Sequence, residues 1–115
     1  MAENEAKELL IGKWSTDELD SEWGKCIHSF EFKKNGVLNG KVFFLAENES
    51  ILSKGRYKFT GVNKLTLHIK EYFSADGSYI EKENRDMDIL IDLNEDTLKV
   101  SHVRNGEEYL FKRME

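Results

Sequence analysis

The sequence predicts an all-β fold: an eight-stranded antiparallel up-and-down β-barrel preceded by a short N-terminal helix. Three observations lead there. Short blocks of residues alternate apolar and polar side chains, the period of a strand with one buried face. Turn signals separate the blocks at near-regular spacing: Asn35-Gly36, Gly61-Val62-Asn63, Asp76-Gly77, Asn94-Glu95-Asp96 and Asn105-Gly106. Finally, Trp14 lies at the start of the first block and Arg113 near the end of the last, so a cation–π contact between them can seal one end of a closed sheet. The chain contains no proline, which leaves every ladder free to run uninterrupted.

Residues 2–10 read as the helix. Acidic residues Glu3 and Glu5 suit its N-terminal dipole, Leu9, Leu10 and Ile11 give it an apolar contact, and Gly12 ends it. The first strand spans 13–16. The polar stretch 17–25 reads as a loop with a helical turn, anchored by Trp23. The second strand spans 26–33 and is followed by Asn35-Gly36 as a type I′ turn. Further strands are expected at 37–45, 51–59, 64–73, 79–93 (interrupted near Asn84), 97–103 and 107–114. The connections are short, which favours a meander over crossing connections.

Alternation assigns the faces. Cys26, His28, Phe30 and Phe32 point one way on the second strand, and Ser53, Gly55, Tyr57 and Phe59 do so on the fourth. Leu65, Leu67 and Ile69 follow on the fifth, with Met87, Ile89, Ile91 and Leu93 on the sixth. Leu98, Val100 and His102, then Tyr109, Phe111 and Arg113, complete the inner wall. On the third strand Leu38, Val42 and Phe44 are read as inward and Phe43 and Leu45 as outward, with a bulge near Gly40 able to change this. Tyr72 is also read as outward.

With 115 residues the chain is expected to form one domain, 1–115. A net charge of −5 argues against nucleic acid and against an anionic membrane surface. No apolar run is long enough to span a bilayer, so membrane insertion is not expected. Cys26, the single cysteine, excludes an intrachain disulfide and fits a reducing compartment. With a polar, acidic start in place of a signal peptide, this points to the cytoplasm, or to a mature secreted form whose leader has been removed.

The segment Leu10-Ile11-Gly12-Lys13-Trp14, the strand count and the terminal Arg113 together resemble the lipocalin-like (calycin) barrels. That resemblance covers the whole chain. It implies a small barrel whose closed end is made by Trp14 and Arg113. The sequence departs from full-length lipocalins in lacking a good Thr-Asp-Tyr turn, the nearest stretch being Arg85-Asp86-Met87. It departs from fatty-acid-binding proteins in having too few residues at 17–25 for a helix pair. It departs from avidin-like barrels in having no Trp after Trp23.

Several constellations invite a chemical reading. Cys26 and His28 share a strand face, as a thiol–imidazole nucleophile pair would, but no orienting group or oxyanion donor accompanies them, and alternation with Phe30 and Phe32 marks a core face. His28 and His102 both point inward without the third ligand a metal or haem site needs. Lys54, Arg56 and Lys58 form a basic outer row, but Asp86, Asp88 and Asp92 stand ready to compensate it and no exposed aromatic residues interleave. Asp17, Glu18, Asp20 and Glu22 lack the ligand pattern of a calcium loop. No catalytic residues, metal or cofactor are therefore expected. The expected function is non-catalytic binding of a small hydrophobic or amphipathic molecule inside the barrel. His28, Phe30, Phe44, Tyr57, Leu67, Ile89, His102 and Tyr109 are the candidate ligand-binding residues. The alternative is a filled barrel that binds a protein partner, as an inhibitor or immunity-type protein does, through Trp23 or through Phe43, Leu45 and Tyr72.

Overall fold

A computed structural model describes residues 3–22, 24–74 and 78–114. Trp23 and the Asp76-Gly77 turn lie outside the described residues. The helix α1 (Glu3–Leu10) leads into β1 (Gly12–Thr16), β2 (Leu19–Ser21), β3 (Gly24–Phe32) and β4 (Val37–Phe44). There follow β5 (Glu49–Gly61), β6 (Lys64–Ser74), β7 (Tyr79–Leu93), β8 (Thr97–His102) and β9 (Glu108–Arg113). All pairings are antiparallel. From β3 to β9 each strand pairs with the next, and β1 pairs with both β9 and β3. The eight strands β1 and β3–β9 thus form a closed barrel, as alternation and short turns predict, and closure removes the exposed edges of an open sheet.

The stretch 17–25 differs from its expected loop and helical turn. Leu19–Ser21 forms β2, which pairs outside the barrel with the start of β3, Leu19 opposite Cys26 and Ser21 opposite Gly24. Two acidic side chains of this stretch are engaged by lysines. Lys112 donates to Asp17 at 3.1 Å, and Lys25 lies 3.7 Å from Asp20. The Asn35-Gly36 turn also departs from type I′, which needs positive φ at both residues. Only Gly36 has it, at 85°, and Gly36 N–H donates to Lys33 O, giving a three-residue loop closed by glycine.

The core fills the half of the barrel next to α1. Trp14, Phe32, Leu38, Leu65, Leu98 and Leu10 are all at most 1% exposed. The helix is held down at its C-terminal end, where its last carbonyls lack partners within the helix. Trp14 Nε1 donates to Leu10 O at 2.9 Å, and Arg113 donates through Nη2 to Leu9 O and through Nη1 to Ile11 O at 3.2 Å. Arg113 Nε donates to Glu95 O in the β7–β8 turn at 2.6 Å. The guanidinium carbon stands 4.2 Å from the Trp14 ring centroid. Gly12 makes room for this: its φ is 135°, and a Cβ there would lie 2.8 Å from Arg113 Nη1.

No bulge occurs at Gly40, where the registers of β3–β4 and β4–β5 run without interruption. The irregularities lie in the longer strands. Gly55 pairs with Ile69 but Lys54 pairs with Glu71, so β6 carries Lys70 as an extra residue. The register between β6 and β7 also shifts between Ile69 and Glu71, opposite the expected interruption near Asn84. Beyond the bulge the alternation of β6 inverts. Tyr72 therefore pairs with inward-facing Ser53 and turns inward, correcting the outward assignment. Phe73 turns outward, 5.3 Å beneath the ammonium of Lys54. Phe43 and Leu45, expected to be exposed, are half-buried, Phe43 opposite Ile27 on the outer face.

The basic outer row runs into acidic residues as expected. Arg56, His68 and Asp86 are successive cross-strand partners, as are Lys58, Thr66 and Asp88. His68 Nδ1 lies 2.5 Å from Asp86 Oδ1, and Thr66 Oγ1 donates to Asp88 at 2.6 Å. No helix among the described residues is long and apolar enough to cross a membrane.

Replacing Arg113 with Ala removes a cation–π contact and three charge-assisted bonds to carbonyls, two of them at the helix terminus. The expected loss is about 2–4 kcal/mol, read from urea unfolding. Arg113→Lys should recover only part of it, because an ammonium cannot serve carbonyls on three sides of a planar fork. A loss below about 1 kcal/mol would show that the barrel closes without this contact.

Candidate functional site

The barrel interior away from α1 is not filled. A cavity of about 200 Å³ lies there, lined by residues of every strand from β3 to β9. Phe30, Leu67, Ile69, Ile89, Val100 and Phe111 make its apolar wall, and His28, Ser53, Tyr72, His102 and Tyr109 bring polar atoms. Among the described residues no aspartate or glutamate lines it. The space arises where inward side chains are small. Gly40 pairs with Phe30 on one side and with Ser53 on the other. The Phe30 ring lies over Gly40, 3.2 Å from where a Cβ would stand, so this part of β4 presents almost no volume to the interior.

Strand direction places the polar groups together. His28 is in the half of β3 far from the Trp14 contact, His102 ends β8, and Tyr109 begins β9 across the intervening turn. The two imidazoles flank the tyrosine: the His28 and Tyr109 ring centroids are 5.5 Å apart, and those of His102 and Tyr109 are 5.6 Å apart and edge-on. The Tyr109 hydroxyl donates to Glu107 Oε2 at 2.9 Å. The backbone N–H of His28 donates to Thr16 Oγ1 at 3.1 Å, tying the site to β1.

Burial lowers the pKa of His28 below its ordinary value, and a charge on His102 would lower it further. Burial likewise lowers that of His102, with Glu107 opposing the change and Arg85 adding to it. Burial raises the pKa of Tyr109, and its hydrogen bond to Glu107 adds to the rise. At neutral pH the site therefore holds two neutral imidazoles and a protonated phenol. Each imidazole offers one donor and one acceptor.

Of the eight candidate ligand-binding residues, His28, Phe30, Leu67, Ile89, His102 and Tyr109 line the cavity. Phe44 and Tyr57 do not. Phe44 lies further along β4 and borders a separate surface depression with Glu47, Glu49 and Ile51. Tyr57 is inward-facing but belongs to the closed half. Its ring packs edge-on against Phe32 at 5.0 Å, and its hydroxyl donates to Lys33 O at 2.6 Å. Residues missed by sequence reasoning include Gly40, Val42, Ser53, Tyr72 and Met87. Asking which inward positions carry the least volume would have pointed to Gly40 and Ser53. Tyr72 could not be found this way, because its orientation depends on the bulge.

Cys26 is buried, two residues from His28 on the same face, but it does not line the cavity. Among the described residues no three His, Cys, Asp or Glu side chains gather as a metal site would require. Compared with known proteins, the chain matches no family model and no curated protein.

A histidine whose folded pKa lies below 6.5 takes up its proton later than it does in the unfolded chain. Its contribution is complete above that value and is lost as the pH falls below it. Thermal unfolding temperature is therefore expected to drop between pH 7.5 and 5.5. The His28→Gln, His102→Gln double variant should drop less over the same interval. An equal drop in both proteins would assign the pH dependence to other groups.

Proposed function

We propose that this protein is a non-catalytic binder of a small hydrophobic or amphipathic molecule, held inside the barrel. The cavity of about 200 Å³, apolar over most of its wall and carrying a few convergent polar groups, is the observation that carries this reading. An eight-stranded barrel is wide enough either to be filled by its own side chains or to hold one small ligand. Here the half next to α1 is filled and the other half is open. The closed barrel, the short helix and the Trp14–Arg113 seal also support a place among lipocalin-like (calycin) barrels.

Burial of the ligand's apolar surface would supply most of the affinity, at roughly 25 cal/mol per Å². The ring atoms of His28, His102 and Tyr109 would set its orientation. Tyr57, expected among the ligand-binding residues, would act instead as part of the plug beneath the pocket. The observations favour the protein-partner alternative less. Tyr72 turns inward, and Phe43 and Leu45 are half-buried.

Gentle native mass spectrometry of purified protein, repeated after denaturation, should show a bound small molecule that is lost on unfolding. Met87→Trp, which places a larger side chain on the cavity wall, should remove the adduct while keeping the fold. A bare chain mass in both spectra, with no thermal shift on adding toluene, would overturn the reading.

A further inference from the structure

The cavity's polar end has a specific chemistry. It contains acceptors and donors, and among the described residues none of its buried lining side chains carries a fixed charge. Lys41 borders the cavity but is exposed, with its neighbours Gly40 and Val42 turned to the interior by strand alternation. A bare anion or a bare cation entering this space would be an uncompensated buried charge, which is strongly disfavoured. A carboxylic acid avoids that cost. It brings one acidic proton and one carbonyl, and it faces two neutral imidazoles flanking one tyrosine ring. One imidazole can accept the proton while the other donates N–H to the remaining oxygen, so the site stays neutral overall while forming a charge-assisted pair.

Size limits the ligand further. A cavity of 150 Å³ holds benzene, so about 200 Å³ admits one ring with a small substituent, or a short branched chain. A long-chain lipid or a porphyrin does not fit within it.

Resting on the ligand-binding reading above, we infer that the cavity takes up a compact organic monocarboxylic acid, of the size of a single substituted ring, together with one proton that is held between the carboxylate and the His28–His102 pair. The acid loses its proton in bulk water near neutral pH. Binding therefore transfers one proton from buffer to the protein–ligand complex: an imidazole N–H bond forms, and the carboxylate pairs with it. The groups facing the two histidines fit this assignment. Across the cavity His28 meets His102 of β8 and Tyr109 of β9, and Cys26 follows on its own face of β3. His102 meets Tyr109, Glu107 at the β8–β9 turn and Arg85 of β7. Among the described residues, Tyr72 of β6 and Lys41 of β4 complete the titratable groups of the lining. Glu107 accepts the Tyr109 hydroxyl proton and does not itself line the cavity, although its charge opposes the lowering of the His102 pKa.

The test is calorimetric titration of the full chain with benzoate, benzyl alcohol and toluene at pH 7, each run in phosphate and in Tris, buffers of very different ionisation enthalpy. Benzoate is expected to bind at least tenfold more tightly than benzyl alcohol. Its heat should differ between the buffers by the amount for about one proton taken up, and its affinity should fall by about tenfold per pH unit between pH 7 and 8. His28→Gln and His102→Gln, each alone, should abolish the buffer dependence. Because the two-buffer comparison needs only the unmodified protein, a variant that fails to fold leaves the test intact. Binding of toluene or benzyl alcohol with no preference for benzoate, or benzoate binding without proton uptake, would overturn this inference and leave the pocket standing. Absence of binding by all three would overturn both readings.

Discussion

Arg113 is the residue on which closure of this barrel depends. Its guanidinium reaches four groups at once: the Trp14 ring on β1, the carbonyls of Leu9 and Ile11 at and just beyond the end of α1, and the Glu95 carbonyl in the β7–β8 turn. Carbonyls at a helix end lack partners within the helix, and burying them unpaired would cost free energy at each. A planar fork of five donors satisfies several of them at the point where the last strand meets the first. Trp14 contributes the complementary bond through its ring nitrogen to Leu10. The Gly-x-Trp sequence thus has a local cause. Gly12 must have no side chain because the guanidinium occupies the space where one would stand.

Once one end is sealed in this way, the barrel acquires two unlike halves. Near α1 the large residues Trp14, Phe32, Leu38 and Leu98 are buried together, and Tyr57 packs edge-on against Phe32. Toward the other end Gly40 and Ser53 follow Phe30 on neighbouring strands, and the volume is not made up. The cavity is a consequence of that asymmetry. Dense packing at the sealed end holds the frame, so the open half does not have to collapse to stabilise it.

The same asymmetry sets the electrostatics. On the outer face charges compensate one another, where Arg56, His68 and Asp86 or Lys58, Thr66 and Asp88 meet across strands, and Arg113 is engaged at the sealed end. Among the described residues the buried polar groups of the cavity wall can be neutral at physiological pH. His28 and His102 are held in that form by burial, and they sit on either side of a tyrosine whose proton is committed to Glu107. This is the arrangement from which the proposed binding of an organic acid with its proton follows.

Much of this was legible in the sequence, because its physical causes are local or strictly periodic. Two-residue alternation assigned the inner faces of β3, β7, β8 and β9, and so placed His28, Phe30, Ile89, His102 and Tyr109 in the interior. The Trp14–Arg113 pairing followed from closure alone. What the sequence could not determine was anything resting on register. The extra residue at Lys70 reverses the face of Tyr72, because inserting one residue into a period of two exchanges inside for outside. The height of each residue along the barrel axis decides that Tyr57 plugs the sealed half and Phe44 borders a different depression, although both lie on inward faces. The short strand β2 exists because the start of β3 extends past the barrel and offers free backbone groups to Leu19–Ser21. Which inward residues meet, and which leave a space between them, is set by long-range strand pairing. Only the folded chain decides it.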